Sequence, residues 1–220
     1  MIKKEISKRI LTSIVLLPIV IFTILSKTIY FNILIGGIYI LSLREWYNIS
    51  KKYFLVLFLG FFIITLSIFS AYTLRGNIID TKILFLWIVS VAIFSDIGGY
   101  VFGKIIGGWK LTKISPSKTF AGMIGSFIFS LIPITLIFII NKSNLLIVSS
   151  LIFSFKTIIL SLLFSFVSQL GDLIVSFFKR KNELKDTGNI LPGHGGLLDR
   201  IDGLIFLLIF AKILNLLSII

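Results

Sequence analysis

Apolar residues run along this chain in long blocks, separated by short charged connections. A helix that crosses a bilayer needs about 20 apolar residues, with a usual range of roughly 17–25. By that measure residues 10–26 form the first candidate span and 28–43 the second, which is short and carries Gly36 and Gly37. Arg44, Glu45 and Trp46 end the second span at an interface, and Lys51 and Lys52 precede a third at 53–72. Arg75, Asp80 and Lys82 lie in a polar connection, and a fourth span over 83–103 contains Asp96. A Gly-rich polar loop follows at 104–118, then a fifth span at 120–140 that Pro133 should kink. Residues 145–178 read as one long tilted or broken helix interrupted by Lys156. The long polar segment 179–202 and a last apolar stretch at 203–220 complete the chain.

This pattern predicts an all-α, polytopic integral membrane helical bundle of about seven transmembrane helices, within a range of roughly six to nine. The expectation is a single transmembrane domain over 1–220, with N-terminal spans in 1–82 and a catalytic part in 83–220. Basic residues set the orientation, because Lys and Arg accumulate on the cytoplasmic side. Lys3, Lys4, Lys8 and Arg9 place the N-terminus inside, and alternation then puts the loops 104–118 and 179–202 inside as well. The basic start and apolar stretch resemble a signal peptide, but no small-residue cleavage site closes the run, so it reads as an uncleaved first span.

Composition supports a membrane protein. Hydrophobic residues make up 57% of the 220 and charged residues only 14%, against about 25% in an ordinary soluble domain. The net charge of +13 suits the topology rule and also a face toward anionic lipid or a phosphate substrate. No soluble basic domain exists to bind nucleic acid. The absence of Cys excludes thiolate catalysis, disulfides and Cys-ligated metal centres.

The chemistry concentrates near the C-terminal third. Of nine acidic residues, Asp172, Glu183, Asp186, Asp199 and Asp202 fall between 172 and 202. Charge near hydrocarbon is expensive, so such acids are functional candidates. Asp199 and Asp202 are three apart and share a helix face, where they repel unless a cation lies between them. Mg²⁺ suits them as a hard ion that takes oxygen ligands; a salt-bridge network with Arg180, Lys185 and Arg200 is the structural alternative. Asp96 either serves the site or pairs with a base for assembly. The glycines around His194, the only His, can cradle a phosphate or simply form a turn. His194 either assists with a proton or a phosphate, or plays a structural part. Ser115, Ser117, Lys118 and Thr119 can bind phosphate or be a turn with a topology-setting Lys; the P-loop pattern is absent. Together these features suggest phosphoryl or nucleotidyl transfer to a lipid at the inner membrane surface.

Residues 168–202 closely resemble the phosphatidate cytidylyltransferase family, the bacterial CDP-diacylglycerol synthases. The matching elements are Ser176, Lys179 and Arg180, then Lys185 and Asp186, then Pro192 to Gly196, then Asp199, Arg200 and Asp202. Upstream, Asp96 to Gly103 matches a D-x-x-x-Y-x-x-G element, and Ser115, Pro116, Lys118 and Thr119 match an S-P-K-K-T element. The resemblance implies transfer of CMP from CTP to phosphatidic acid, giving CDP-diacylglycerol and pyrophosphate in phospholipid biosynthesis. It implies Mg²⁺, with or without a second cation, a place among the lipids of the bacterial inner membrane, no nucleic-acid partner, and a homodimer as one assembly. By resemblance Asp172, Asp199 and Asp202 are the metal ligands. Lys185, Asp186 and Arg200 join them as catalytic candidates, while Asp96, Ser115, Lys118, Thr119, Lys179, Arg180, His194 and Gly195 are substrate-binding candidates. The chain departs from the family at Ser117, usually Lys, at Ala121, usually acidic, and at Val175, often Glu. Three other classes compete: a membrane transporter, another metal-dependent lipid-phosphate transferase, and a structural membrane subunit.

Overall fold

The computed structural model describes residues 2–112, 115–142, 151–184, 186–188, 190 and 195–220, with side chains from residue 14 onward. The named elements are all helices: α1 (Ile2–Leu25), α2 (Thr28–Ser50), α3 (Phe54–Arg75), α4 (Ile79–Ile105), α5 (Phe120–Ser130), α6 (Ile132–Lys142), α7 (Phe155–Lys181) and α8 (Leu198–Leu216).

The expected all-α class holds, but the count of about seven spans does not. Among the described residues four helical stretches are long and apolar enough to cross a membrane: α3, α4, the run Phe120–Lys142 and α7. The three stretches that drop out have separate reasons. The apolar helix Ile14–Leu25 is too short. The apolar part of α2 is cut off by Arg44 and the buried Glu45. In α8 the first turns carry Asp199, Arg200 and Asp202, Lys212 follows, and the helix stops at Leu216. An apolar run in sequence counts toward a span only while the helix continues and stays uncharged.

Pro133 acts as expected. It lacks the N–H that would continue the ladder, and the run breaks at Leu131 between α5 and α6. Between 151 and 181 there is one helix, α7, started by a capping box in which Ser154 and Thr157 satisfy each other's backbone N–H groups.

In hydrocarbon no hydrophobic force pulls helices together, so close packing and interhelical hydrogen bonds must do it. The α4–α5 contact shows this. A Cβ on Gly122 would fall 2.8 Å from the Gly99 carbonyl oxygen, and one on Gly125 would fall 2.6 Å from that of Gly98. Only glycine permits this approach, which carries Asp96 on α4 toward the start of α5. Ser95 and Ser165 share a 2.7 Å hydrogen bond between α4 and α7, a contact worth on the order of 0.6 kcal/mol. Trp87 and Phe164 pack with ring centres 5.2 Å apart and planes tilted by 55° in the main core. A second cluster of Trp46, Ile49, Ile64, Leu198 and Ile205 packs α2, α3 and α8 beneath the polar end.

The bundle has two distinct ends. At one, Arg75 of α3 donates to the carbonyls of Ile24 and Ser26, beside the start of α4. At the other meet the C-terminal part of α2, the 106–119 loop, the end of α7 and the start of α8.

Candidate active site

At that second end, a cavity of about 280 Å³ is lined by Asp96, Lys118, Thr119, Asp172, Asp199, Arg200 and Asp202, with Ser117 and Gln169 also on its wall. Residues up to 106 positions apart in the chain converge here, drawn from α4, the 106–119 loop, α7 and α8.

Local structure fixes each contribution. The residues on either side of 113–114 pair with each other: Leu111 N–H donates to Lys118 O at 2.8 Å and Phe120 N–H to Trp109 O at 3.0 Å. Thr119 caps α5 by accepting from Gly122 N–H at 3.1 Å, which relieves one orphan donor of the helix start. That cap leaves Lys118 facing α7, where its Nζ lies 2.5 Å from Asp172 Oδ2. Ser176, one turn along α7, donates to Asp172 Oδ1 at 3.1 Å. A turn beyond Ser176, Lys179 is 8% exposed. Its Nζ is 2.7 Å from Asp199 Oδ1 and 4.0 Å from Asp202 Oδ2.

Asp199 has further partners. Its Oδ2 accepts from Thr187 N–H at 2.8 Å and Gly196 N–H at 3.0 Å. It therefore ties Thr187 to Gly196 beside the start of α8 while neutralising Lys179. Asp202 Oδ1 accepts from Gly203 N–H at 2.8 Å. Burial, and then the charge of Asp172, pushes the Asp202 carboxyl well above the usual carboxylate range; Lys179 and the Gly203 N–H pull it the other way. Asp96 faces the charge of Asp172 on one hand and those of Lys118 and Arg200 on the other.

The sequence-predicted residues thus separate into groups. Asp96, Lys118, Thr119, Asp172, Asp199, Arg200 and Asp202 share the cavity wall, with Lys179 buried behind two of the acids. Arg180 is exposed and donates to Leu184 O at 3.3 Å. Asp186 is exposed and its Cβ packs near Gly195. Ser115 holds the turn, accepting Lys118 N–H at its carbonyl. Lys185 and His194 lie outside the described residues.

Two residues were missed from sequence. Glu45 and Thr187 are buried and bonded to each other and to the start of α8. Glu45 stands beside Arg44 at the interfacial end of the second apolar stretch, so the rule that marked Asp96, an acid within a span, did not single it out.

Could the acids hold a divalent cation? The donors are hard oxygens, the right chemistry for Mg²⁺. Ammonium groups already sit on Asp172 and on the Asp199–Asp202 pair, so these carboxylates accept positive charge where they stand. Among the described residues, however, no group of three or more such side chains forms a cluster that could hold an ion.

Comparison with known proteins completes the picture. The chain is 38% identical over 218 residues to the phosphatidate cytidylyltransferase of Rickettsia bellii, covering 92% of this chain and 87% of that protein. It is 36% identical over 219 residues to the same enzyme of Rickettsia typhi, covering 92% and 89%. A phosphatidate cytidylyltransferase of Staphylococcus haemolyticus is 43% identical over 126 residues, 54% of this chain and 44% of that one. The sequence pattern of the Cytidylyltransferase family matches residues 52–217, a stretch holding every acid and base of the cavity. With four membrane-length stretches and a charged cavity at one end, the chain is a multi-pass membrane enzyme and belongs to the cytidylyltransferase family.

Proposed function

We infer that the protein transfers the CMP moiety of CTP to phosphatidic acid, giving CDP-diacylglycerol and pyrophosphate. One observation carries the reading: acids and bases from α4, α7, α8 and the 106–119 loop converge on a single cavity in a chain of this family.

An oxygen of the phosphatidic acid phosphate attacks the α-phosphorus of CTP. A new P–O bond forms, the bond from the α-phosphorus to the bridging oxygen breaks, and its electron pair leaves with pyrophosphate. A phosphate monoester has a second pKa of about 6, so the nucleophile is mostly ionised near neutral pH and needs no strong protein base. The protein's task is alignment and charge compensation. Lys118 and Arg200 are the residues proposed to contact phosphate oxygens, with Thr119, which caps α5 beside Lys118, steadying it. Asp172, Asp199 and Asp202 are the residues proposed to hold Mg²⁺; they do not stand as a ready-made cluster, and Asp172 and Asp199 would each give up an ammonium partner to take the ion. When bound, the ion neutralises triphosphate charge and polarises the reacting phosphorus. Asp96 completes the cavity from α4.

The cavity end faces the cytoplasm of a bacterial inner membrane in this proposal, since that side supplies CTP. Residues 83–220 form the catalytic part, a homodimer is the proposed assembly, and membrane lipids surround it. The test is purified protein with phosphatidic acid, labelled CTP and Mg²⁺, scored for a chloroform-soluble nucleotide product. Product should form with CTP and vanish on chelation. Asp199→Asn, still folded and inserted, should abolish turnover; near-normal turnover would overturn its metal role.

A further inference from the structure

The catalytic end depends on a residue outside the part of the chain that the family pattern matches. Glu45 lies on α2, before residue 52, where that pattern begins. It is only 2% exposed. Its Oε1 accepts from Leu197 N–H at 2.9 Å, and its Oε2 accepts from Leu198 N–H at 2.8 Å and from the Thr187 hydroxyl at 2.8 Å. All three partners donate, so both carboxylate oxygens are used as acceptors.

Helix α8 needs this. Its first turns carry Asp199, Arg200 and Asp202, yet its N-cap is Leu197, which has no side-chain oxygen and makes no cap hydrogen bond. A helix start leaves orphan N–H donors and a partial positive charge. Here a carboxylate from another helix supplies what the N-cap side chain cannot. Glu45 also holds the Thr187 hydroxyl, while Asp199 accepts the N–H of the same residue. Gly188 and Gly196 are pressed on the carboxylate: a Cβ on Gly196 would fall 2.6 Å from Glu45 Oε2, and one on Gly188 would fall 2.8 Å from Oε1.

We propose that Glu45 is a positioning residue for the transfer reaction. It caps α8 from α2 and, through Thr187, sets where Asp199, Arg200 and Asp202 stand in the cavity. The proposal rests on the cavity reading above, and the Asp172→Asn variant tests that reading separately.

The test uses the full chain in mixed micelles, with kcat and KM for CTP measured per folded molecule. Glu45→Gln should lower kcat by about tenfold or more while KM for CTP moves less than about threefold, the pattern of lost alignment rather than lost ground-state binding. Thr187→Val should lower kcat in the same direction, and Thr187→Ser should restore it. The double variant Glu45→Gln with Thr187→Val should be no worse than the poorer single variant, because both remove one connection. Folded Glu45→Gln with kcat within about twofold of the parent, or a double variant whose loss is the product of the singles, would overturn the proposal. If Glu45→Gln does not fold, the Thr187 pair decides: an undiminished kcat in Thr187→Val sinks the idea. Turnover retained in Asp172→Asn would instead remove the cavity reading, whatever the Glu45 variants do.

Discussion

Each end of the bundle is organised by a buried charged side chain on the terminus of another helix, with opposite signs. At one end the Arg75 guanidinium, 1% exposed, donates to the Ile24 and Ser26 carbonyls where α1 stops, and to the Thr28 hydroxyl. It also lies 5.0 Å from the Phe31 ring centre, and Lys82 adds a 2.9 Å bond to Ser26 O. At the other end the Glu45 carboxylate accepts the N–H groups where α8 begins. Both follow the helix dipole, cations at the C-terminus and anions at the N-terminus.

The difference lies beside these anchors. Each end has a cavity, about 220 Å³ near Arg75 and about 280 Å³ at the acid end, so size does not separate them. Charge does. The first is walled by Thr28, Phe31, Tyr72, Thr73, Arg75, Gly76 and Asn77, and its one charged side chain is already bonded to backbone. The second gathers four carboxylates around Lys118 and Arg200, with Lys179 behind them. Carboxylates outnumber bases on that wall, with Asp202 buried among them, which marks that end as the candidate site and leaves the other a structural joint.

Three substitutions sharpen or break this contrast. Lys179→Met should have the largest effect. It leaves Asp199 and Asp202 buried without their ammonium, at a cost of about 3–5 kcal/mol. The unfolding midpoint in detergent should fall steeply and turnover with it; a midpoint like the parent's would mean the acids do not depend on Lys179. Next, Asp172→Asn keeps the shape of the cavity wall and should reduce kcat by about 10²–10³-fold, with little change in the midpoint. Activity near the parent's would place the chemistry elsewhere. The smallest effect is expected at the opposite end. Arg75→Met should cost about 1–3 kcal/mol through carbonyls left unpaired, while kcat per folded molecule stays at the parent value. A selective loss of kcat there would erase the distinction between joint and site.

Much of this was legible along the chain, for a reason that differs between elements. Asp172, Asp199 and Asp202 were recognisable because an acid beside long apolar runs has few structural excuses, and their spacing is local to one segment. The break at Pro133 was legible because a missing N–H acts within its own helix. The number of spans was not. Residues 28–43 and 203–220 look like membrane stretches by apolar content, but Glu45 and Asp202 turn inward near their ends, to a helix start and a cavity.

Hydrophobicity along a chain reports how each residue partitions between water and lipid, so it was enough to establish a helical membrane protein with its acids gathered toward one segment. It carries no record of which residue meets which across the bundle. That Lys118 sits on Asp172, that Asp199 divides its oxygens between Lys179 and the N–H groups of Thr187 and Gly196, and that Glu45 closes the start of a helix some 150 residues away followed only from the packing of α2, α4, α5, α7 and α8. Hydrogen bonds act over about 3 Å, and the fold alone brings such distant positions within that reach.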